Sequence, residues 1–373
     1  MTKAYRYKLV PNKAQRYALA RTMDVCRELY NDALAQRNYN YRSGNRCYRM
    51  EQSAELPELK AAFPVHKNVY SQVLQHVLDR LDKSFKNFFR SGFGFPRFKG
   101  ANRFHSFTYP QSGFSLNGKR LSLSKIGNVK VRLSRELPTD AAVKTCTIKH
   151  TVSGWFAIMT FEHKPIPLPQ SDLEVGIDVG IVNFAALSDG SFVPNQRFYQ
   201  SAQAELRRAQ RRVSRRKKGS NRRRKAVVLL RKVHERIASR RLDFLHKETT
   251  KIVRKFGLIA IEDLNVAGMA RGNLAKQILD ASWSTWKRLL SYKAEEAGRT
   301  KAGVPPQHTS QECDACEYVD AGNRKSQSEF ECLRCSHADH ADTNGAKRIL
   351  ARALKQLGRT VPSNANATAV MAA

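Results

Sequence analysis

Gly176-Ile-Asp-Val-Gly-Ile-Val-Asn-Phe-Ala-Ala-Leu187 is the stretch that decides the fold of this chain. Residues 174–178 form an apolar run that ends on an acid between two glycines, and residues 182–187 form a second apolar run. Further along, a long helical pattern precedes another buried run at 258–264. Apolar strands separated by a helix in this way are typical of an α/β domain. The sequence after residue 170 therefore predicts an α/β domain.

The charge of the chain indicates its class of partner. Its 373 residues include 66 Lys and Arg against 32 Asp and Glu, a formal net charge of +34, and 41% of the residues are hydrophobic. A chain this basic repels itself unless a polyanion screens it, so we expect nucleic acid as the partner. No stretch approaches the ~20 apolar residues of a membrane span, and the first residues contain no apolar signal core. We therefore expect a cytoplasmic protein that does not insert into a membrane.

The sequence before residue 164 has a different pattern. Tyr5, Tyr7 and Leu9 alternate with cations, which predicts a strand, and two helical patterns follow, the second over 67–90. Short alternating runs separated by turns cover 115–163 and predict a β-meander or a small barrel. The proline-spaced segment 164–170 is typical of a linker between domains.

A segment rich in aromatic and basic residues lies between the second helical pattern and the meander. Six aromatic residues between 93 and 109 are interleaved with Arg97, Lys99 and Arg103. Cations beside aromatic rings suit nucleotides, through phosphate contact and base stacking. Ordinary alternation in a strand and its loop explains the same pattern equally well, so both interpretations stay open.

The densest run of positive charge lies between residues 207 and 225, where twelve Lys or Arg and no acid occur. A Gly-Ser-Asn break at 219–221 indicates a loop between two helical arms. Such runs are usually solvated, but twelve uncompensated cations need counter-ions, so we expect them to bind a phosphate backbone. The predicted nucleic-acid-binding residues of the run are Arg207, Arg208, Arg211, Arg212, Arg215, Arg216, Lys217, Lys218, Arg222, Arg223, Arg224 and Lys225.

Four cysteines near the C-terminus have the spacing of a zinc site. Two Cys-x2-Cys knuckles are separated by fifteen residues, and each places two thiolates on a tight turn around one tetrahedral ion. Because all four ligands are thiolates, the site is closed and we expect it to be structural. The predicted Zn²⁺ ligands are Cys313, Cys316, Cys332 and Cys335. The remaining cysteines, expected to be core or surface thiols, are Cys26, Cys47 and Cys146.

Three acids far apart in the sequence occupy similar places in their predicted elements. Asp178 and Glu262 each end an apolar strand, and Asp342 precedes the last helix, predicted over 346–357. Such acids are costly to desolvate unless they are paired or bind metal, and a converging set could hold paired Mg²⁺ ions for phosphodiester cleavage. Single acids at strand ends also cap turns, so the spacing leaves both interpretations open. Asp263 is the rival of Glu262, because successive strand residues point to opposite faces.

The order of these motifs along the chain carries further information. Gly176-Ile-Asp-Val-Gly180 and Ile261-Glu-Asp-Leu264 are followed by His308-Thr-Ser-Gln, the two cysteine knuckles and Asp342-x-Asn-Gly-Ala346. Gly94-Phe-Pro-Arg-Phe98 extends the pattern toward the N-terminus. In this order the motifs resemble the TnpB family of bacterial insertion-sequence proteins, relatives of type V CRISPR effectors, over nearly the whole chain before its tail.

The resemblance implies an RNA-guided DNA endonuclease. A guide RNA transcribed from the transposon end would pair with one strand of double-stranded target DNA beside a short adjacent motif, and a RuvC site would cut the DNA with Mg²⁺. By position, Asp178, Glu262 and Asp342 are implied to be the catalytic, Mg²⁺-binding carboxylates. We expect one monomer per RNA, in the prokaryotic cytoplasm and at the nucleoid when bound to DNA. Gly345 stands where the family often has Ala, at a cost of about 0.5–1 kcal/mol of helix stability.

The resemblance also implies a fold class, a multidomain α+β protein. An RNase H-like α/β nuclease domain would contain an inserted zinc ribbon, and an N-terminal wedge barrel would contain an inserted helical recognition domain. The expected domains are a wedge barrel at 1–12 and 101–168, a recognition domain at 13–100, a nuclease domain at 172–304, a nucleic-acid-binding zinc ribbon at 305–337, a C-terminal nuclease helix at 338–357 and a disordered tail at 358–373.

Two other functions are compatible with parts of the pattern. A transposase, or an accessory protein of one, would share the RNase H-like core. A zinc-ribbon protein that binds RNA or DNA, such as a catalytically weak RNA-guided repressor, would share the charge and the cysteines. The acids separate these interpretations, because a module that only binds nucleic acid has no need of three acids at strand and helix ends.

Overall fold

The structure, a computed structural model, describes residues 1–138 and 142–360. The chain divides into two compact units, Met1–Lys164 and the sequence from Pro165 onward, so the division falls in the proline-spaced segment. Nearly all of the tail predicted to be disordered, residues 361–373, lies outside the described residues. No described helix combines the length and apolar character that crossing a membrane requires.

The first unit is built on a seven-stranded antiparallel sheet with the order β2-β6-β7-β1-β5-β4-β3. Buried and exposed side chains alternate along β1, where Tyr7 and Leu9 enter the core. The strands are β1 Thr2–Val10, β2 Ser106–Tyr109, β3 Phe114–Asn117, β4 Arg120–Leu123, β5 Gly127–Arg132, β6 Val143–Thr151 and β7 Gly154–Glu162.

Four helices of the first unit lie in sequence between β1 and β2. The helix α1 begins at a capping box, in which Asn12 accepts a hydrogen bond from the Gln15 amide and Gln15 accepts one from the Asn12 amide. The predicted apolar stripe of the second long helix is buried, and the helix ends at Gly92, whose φ is 63°. The helices are α1 Lys13–Arg42, α2 Arg49–Ala54, α3 Leu56–Ala62 and α4 Ser71–Ser91.

The second unit is built on a five-stranded mixed sheet with the order β10-β9-β8-β11-β12. The meander β8-β9-β10 is antiparallel, whereas β11 is parallel to both β8 and β12. A separate two-stranded hairpin, β13-β14, lies among the cysteines. The strands are β8 Glu174–Val179, β9 Asn183–Leu187, β10 Phe192–Pro194, β11 Leu258–Glu262, β12 Thr300–Val304, β13 Glu329–Glu331 and β14 Ala338–His340.

Helices cover both faces of this sheet. One face packs on α7 and α10, with Ile177 and Ile261 among the buried residues, and the other packs on α11, with Ala260 and Ile349. The helix α11 approaches β8 so closely that a Cβ on Gly176 would lie 2.0 Å from a backbone oxygen of α11. The helices are α5 Phe198–Ser201, α6 Gln203–Ser214, α7 Asn221–Lys255, α8 Val266–Met269, α9 Ala275–Ala281, α10 Trp283–Glu296 and α11 Ala341–Gln356.

The last helix begins earlier than the sequence predicted. The predicted start was residue 346, but α11 begins at Ala341, so Asp342 lies in its first turn rather than before it. The reason is an unusual cap, because the His340 side chain accepts a hydrogen bond from the Asp342 amide at 3.2 Å. Histidine is outside the common group of N-cap residues, and the sequence pattern therefore missed it.

Candidate functional site

The acids of β8 and β11 lie side by side. The two strands are parallel neighbours, and Ile177 is paired with Ile261, so Asp178 and Glu262 are the next residues in the same register. Both therefore point to the face of the sheet that α11 covers. Asp342 reaches the same place from the first turn of α11. The three acids that the sequence singled out are thus brought together.

The electrostatics of the group follow from this arrangement. Burial, together with the neighbouring charges of Glu262 and Asp342, raises the pKa of Asp178 to about 8, while the Arg324 guanidinium opposes this rise. Burial also raises the pKa of Glu262, against a hydrogen bond from Thr309 and the charge of Arg352. Like charges gathered in a partly buried place are compensated well by a bound cation, so the carboxylates fit a divalent metal with oxygen ligands.

Asp263, the alternative to Glu262, makes contacts elsewhere. Asp263 forms an ion pair with Lys287, and its carboxylate lies over Gly303, where an added Cβ would come within 2.7 Å of Oδ2. It is not among the groups that shift the pKa of Asp178. The geometry therefore favours Glu262 as the partner of Asp178.

The presence of glycine at position 345 of α11 is explained by its neighbours in the structure, which the sequence did not reveal. A Cβ at this position would lie 3.2 Å from Asp178 Oδ2, which is tighter than most real Cβ contacts. The glycine leaves room for the Asp178 carboxylate beside the first turns of α11, and its cost in helix propensity is incurred at the place where the acids converge.

The four cysteines also come together. Their sulfur atoms all lie within 4.8 Å of one another, which suits a single tetrahedral ion. The two knuckles have the same shape: the Cys313 amide donates to the Tyr318 carbonyl and the Cys332 amide to the His337 carbonyl, each at 2.9 Å. The residues one place beyond the second cysteine of each knuckle, Glu317 and Ser336, have φ of +60° and +54°. The arrangement can hold a metal with little change of the backbone.

Residues 305–337, called here the cysteine segment, contact the acids directly. Thr309 Oγ1 donates a hydrogen bond to Glu262 Oε1, and Arg324 Nη2 lies 3.1 Å from Asp342 Oδ1. Neither residue was a predicted site residue. Thr309 lies within the His-Thr-Ser-Gln motif, so a signal for it existed, whereas nothing in the spacing of Arg324 marks it.

The cysteine segment is fastened to α11 by buried polar contacts. The Asn344 side chain accepts from the Asp314 amide at 2.9 Å and donates to the Glu312 carbonyl at 2.8 Å. Glu312 forms ion pairs with both Arg348 and Arg352. Because α11 also carries Asp342, the segment and the acids are held by one helix.

The predicted basic residues lie in two places. The run at 207–225 forms the tip of a helical hairpin made by α6 and α7, and all twelve of its cations are exposed except Arg223, which is half-buried. Arg97, Lys99 and Arg103 belong to the first unit, in the segment between α4 and β2. The aromatic residues of that segment fall into two groups. Phe93, Phe95 and Phe98 are exposed, which is compatible with contact with nucleotides, whereas Phe104, Phe107 and Tyr109 are buried in the core, as ordinary strand alternation predicts.

The fold is shared with a known structure. The "Cryo-EM structure of the Cas12f1-sgRNA-target DNA complex" contains a chain that matches with a TM-score of 0.59 at 14% sequence identity, covering 90% of this chain and 82% of that chain. Together with the mixed sheet of the second unit, this likeness defines the class by its fold: a multidomain protein of mixed α/β content.

Sequence comparisons define the family within that class. A sequence profile described as "Probable transposase" matches residues 157–273, and one described as "Cas12f1-like, TNB domain" matches 283–349. "Putative RNA-guided DNA endonuclease InsQ" of Escherichia coli K12 is 35% identical over 93% of this chain and 91% of its own length. "Putative RNA-guided DNA endonuclease" of Streptomyces pristinaespiralis is 34% identical over 94% of this chain and 89% of its own length. The chain belongs to the TnpB family.

Proposed function

We propose that the chain is an RNA-guided DNA endonuclease of an insertion sequence. It would use a guide RNA from the transposon end to find double-stranded DNA beside a short adjacent motif, and act in the prokaryotic cytoplasm as one monomer per RNA. The observation that carries the proposal is the convergence of Asp178, Glu262 and Asp342 in a chain with a net charge of +34. A protein that must hold phosphates gains nothing from negative charge at one point unless that point also binds metal.

The acids would bind two Mg²⁺ ions, which when bound activate a water molecule and stabilise the leaving oxygen of a phosphodiester. The chain's own residues support this role. Asp178 and Glu262 are fixed by neighbouring parallel strands, and Thr309 orients the Glu262 carboxylate. Arg324, paired with Asp342, supplies a positive charge next to the place where phosphate would approach.

Zn²⁺ would be bound by Cys313, Cys316, Cys332 and Cys335 and would be structural. Four thiolates leave no open position for substrate or water. A ribbon closed by this ion would hold Thr309 and Arg324 against the acids, since both lie in the cysteine segment.

The remaining assignments concern nucleic acid. We assign the RNA and DNA backbone contacts first to the hairpin cations at 207–225, and next to Arg97, Lys99 and Arg103. The first unit would combine a wedge barrel at 1–12 and 101–168 with a recognition domain at 13–100. Exposed Phe93, Phe95 and Phe98 support a nucleic-acid role for part of the aromatic segment.

One experiment separates this proposal from its alternatives. The protein is purified with its co-expressed flanking RNA and incubated with matched or mismatched plasmid in Mg²⁺ or EDTA, with Asp178→Ala as the matched control. We expect the wild type to cut the matched plasmid in Mg²⁺. We expect no cutting of the mismatched plasmid, none in EDTA and none by Asp178→Ala. Strand joining without guide RNA would contradict the proposal and would indicate a transposase, the activity named in the description of the profile that matches residues 157–273. Stable guided binding without cutting would instead indicate a repressor.

A further inference from the structure

A cleft in the second unit is lined by none of the three acids and none of the four cysteines, and it has no role in the proposed cleavage chemistry. Its volume is about 400 Å³, within the range of about 300–1,000 Å³ that small-molecule sites occupy. It is formed by the loop after β8, the loop between β10 and α5, the helix α5, the start of α6, and α9 with the loop that precedes it. That volume suits one nucleotide.

The walls of the cleft are fixed before any ligand binds. Asn195 Nδ2 donates to the Ile181 carbonyl at 2.7 Å and Asn195 Oδ1 accepts from the Arg197 amide at 3.1 Å. Asp280 accepts from the Tyr199 amide and pairs with Arg241, so its charge is already neutralised. These contacts tie three elements together around a preformed opening.

Among the free groups of the cleft are side chains that can recognise a base. Within the part of the chain that the structure describes, the side chains of Gln203, Asn273 and Gln277 make no hydrogen bond, and each carries both a donor and an acceptor. Asn and Gln amides bind base edges through two hydrogen bonds. Tyr199 lines the same cleft with 36% of its surface exposed, so its ring is available for stacking.

A second groove, of about 290 Å³, lies along α6, and its lining begins one helical turn after Gln203 of the cleft. Gln203 lines the cleft, and Arg207, Arg211 and Arg215 line the groove at intervals of four residues, so the first three share one face of α6 and Arg215 caps the C-terminal end of that helix. A nucleic-acid strand with its phosphates along this face would carry one base into the cleft. This combination of a cationic groove and an aromatic platform is typical of single-stranded binding sites.

We propose that this cleft binds one unpaired base of the constant, scaffold part of the guide RNA. The inference rests on the proposed function, because it takes a guide RNA as the partner. RNA is favoured over DNA since amides that read base edges are useful only where the base is the same in every complex, and target DNA changes from site to site. Sequence-specific RNA recognition works in this way, on splayed bases of loops and bulges that stack on aromatic side chains.

The test uses the full chain with its guide RNA transcribed to contain 4-thiouridine, followed by crosslinking and peptide mass spectrometry. A crosslink to the peptide around Tyr199 is expected both with and without target DNA. In binding assays Tyr199→Ala should weaken guide-RNA affinity about tenfold, as expected for one lost stacked base, whereas Tyr199→Phe should bind like the wild type. Gln356→Ala, an exposed amide on α11, is the matched control and should have no effect.

Base reading is tested separately at the crosslinked nucleotide. Substitution of that base should weaken binding to the wild type but not to a Gln203→Ala/Gln277→Ala variant. Unchanged affinity of Tyr199→Ala, with crosslinks confined to other peptides, would overturn the inference. In a parallel reaction the target DNA carries 4-thiothymidine, and a crosslink from this cleft only to that DNA would also overturn it. If either of these contrary results is obtained while the wild type binds guide RNA and cuts plasmid, the inference fails and the proposed function stands. A wild type that binds no guide RNA would overturn both the inference and the proposed function.

Discussion

Arg324 Nη2 lies 3.1 Å from Asp342 Oδ1, so a side chain held between two cysteine knuckles forms an ion pair with the third acid. Thr309, at the start of the same cysteine segment, donates to Glu262. These two contacts on Asp342 and Glu262 thus come from the segment that contains the four cysteines. The arrangement of the four cysteines and the arrangement of the acids are therefore coupled through this segment.

Removal of the Arg324 charge should change the pH dependence of cleavage. The guanidinium lowers the pKa of Asp178, and the carboxylate must be ionised to hold Mg²⁺. In Arg324→Gln we expect the rising limb of the pH–rate profile to move to higher pH, and cleavage at pH 7 to fall about tenfold for every pH unit that the limb moves. Arg334→Gln, in the same segment but over the Tyr318 ring, is the control. Superimposable profiles for wild type and Arg324→Gln would contradict this account.

Mg²⁺ binding should strengthen as the pH rises toward 8. In the metal-free protein the pKa of Asp178 is raised from 3.8 to about 8, so between these values the folded state keeps a proton that the unfolded state has released. The metal-free protein therefore loses stability as pH rises through this window, and Mg²⁺ must displace the proton. The rise in melting temperature caused by Mg²⁺ should be larger at pH 8 than at pH 6, and absent in Asp178→Asn. Equal Mg²⁺-induced changes in melting temperature at both pH values would count against Asp178 as a ligand.

Loss of the Thr309 hydroxyl should impair cleavage without unfolding the domain. Thr309→Val keeps the shape of the side chain but leaves the partly buried Glu262 carboxylate without this donor. Hydrogen bonds to charged groups are worth roughly 1.5–3 kcal/mol, so we expect about a ten- to hundredfold slower rate. Thr309→Ser keeps the donor and should retain most of the activity. The rates are measured by single-turnover cleavage at saturating Mg²⁺, and equal rates for Val and Ser would rule out a role for the hydroxyl.

Local patterns located most of the residues that the structure brings together. Asp178 and Glu262 end strands whose hydrophobic runs are plain in the sequence, and the cysteines follow the spacing of two knuckles, so both groups could be placed before their partners were known. Their catalytic and zinc-binding roles stay predictions. Arg324 could not be found in this way, since its contact with Asp342 depends on the path of a loop between the knuckles.

Tertiary packing determines which aromatic residues are buried and where the last helix begins, and the periodicity of the sequence left both undetermined. Phe95 and Phe107 lie in one aromatic segment, yet the first is exposed and the second, on β2, is buried in the core of the first unit. The early start of α11 depends on the His340 cap, which is a feature of one side chain rather than of a pattern. The cleft around Tyr199 joins three separate stretches of sequence, and no local signal could have assembled it.

The cations at the tip of the α6–α7 hairpin should account for part of the salt dependence of RNA binding. Each phosphate contact adds about 0.7–0.9 to the slope of log affinity against log salt, so replacing Arg215, Arg216, Lys217 and Lys218 by Gln should reduce the slope by about 3. Lys247→Gln/Lys251→Gln is the control, because both lysines are paired with acids on α7. Affinities are measured from about 50 to about 400 mM salt, a range chosen to resolve the slope. An unchanged slope would place the phosphate contacts elsewhere.

Loss of one zinc ligand should abolish cleavage through the acids rather than through global unfolding. Cys313→Ser removes one of four sulfurs that lie within 4.8 Å of one another, and metal sites of this kind couple binding to local folding. Without the ion the cysteine segment would no longer hold Thr309 on Glu262 or Arg324 on Asp342, so zinc content and cleavage should fall together. Cys47→Ser, a half-buried cysteine of the first unit, should keep both. Metal analysis and cleavage assays on the same preparations decide the point: a variant that loses its zinc yet cuts at the wild-type rate would separate the cysteines from the acids, and one that keeps its zinc would refute Cys313 as a ligand.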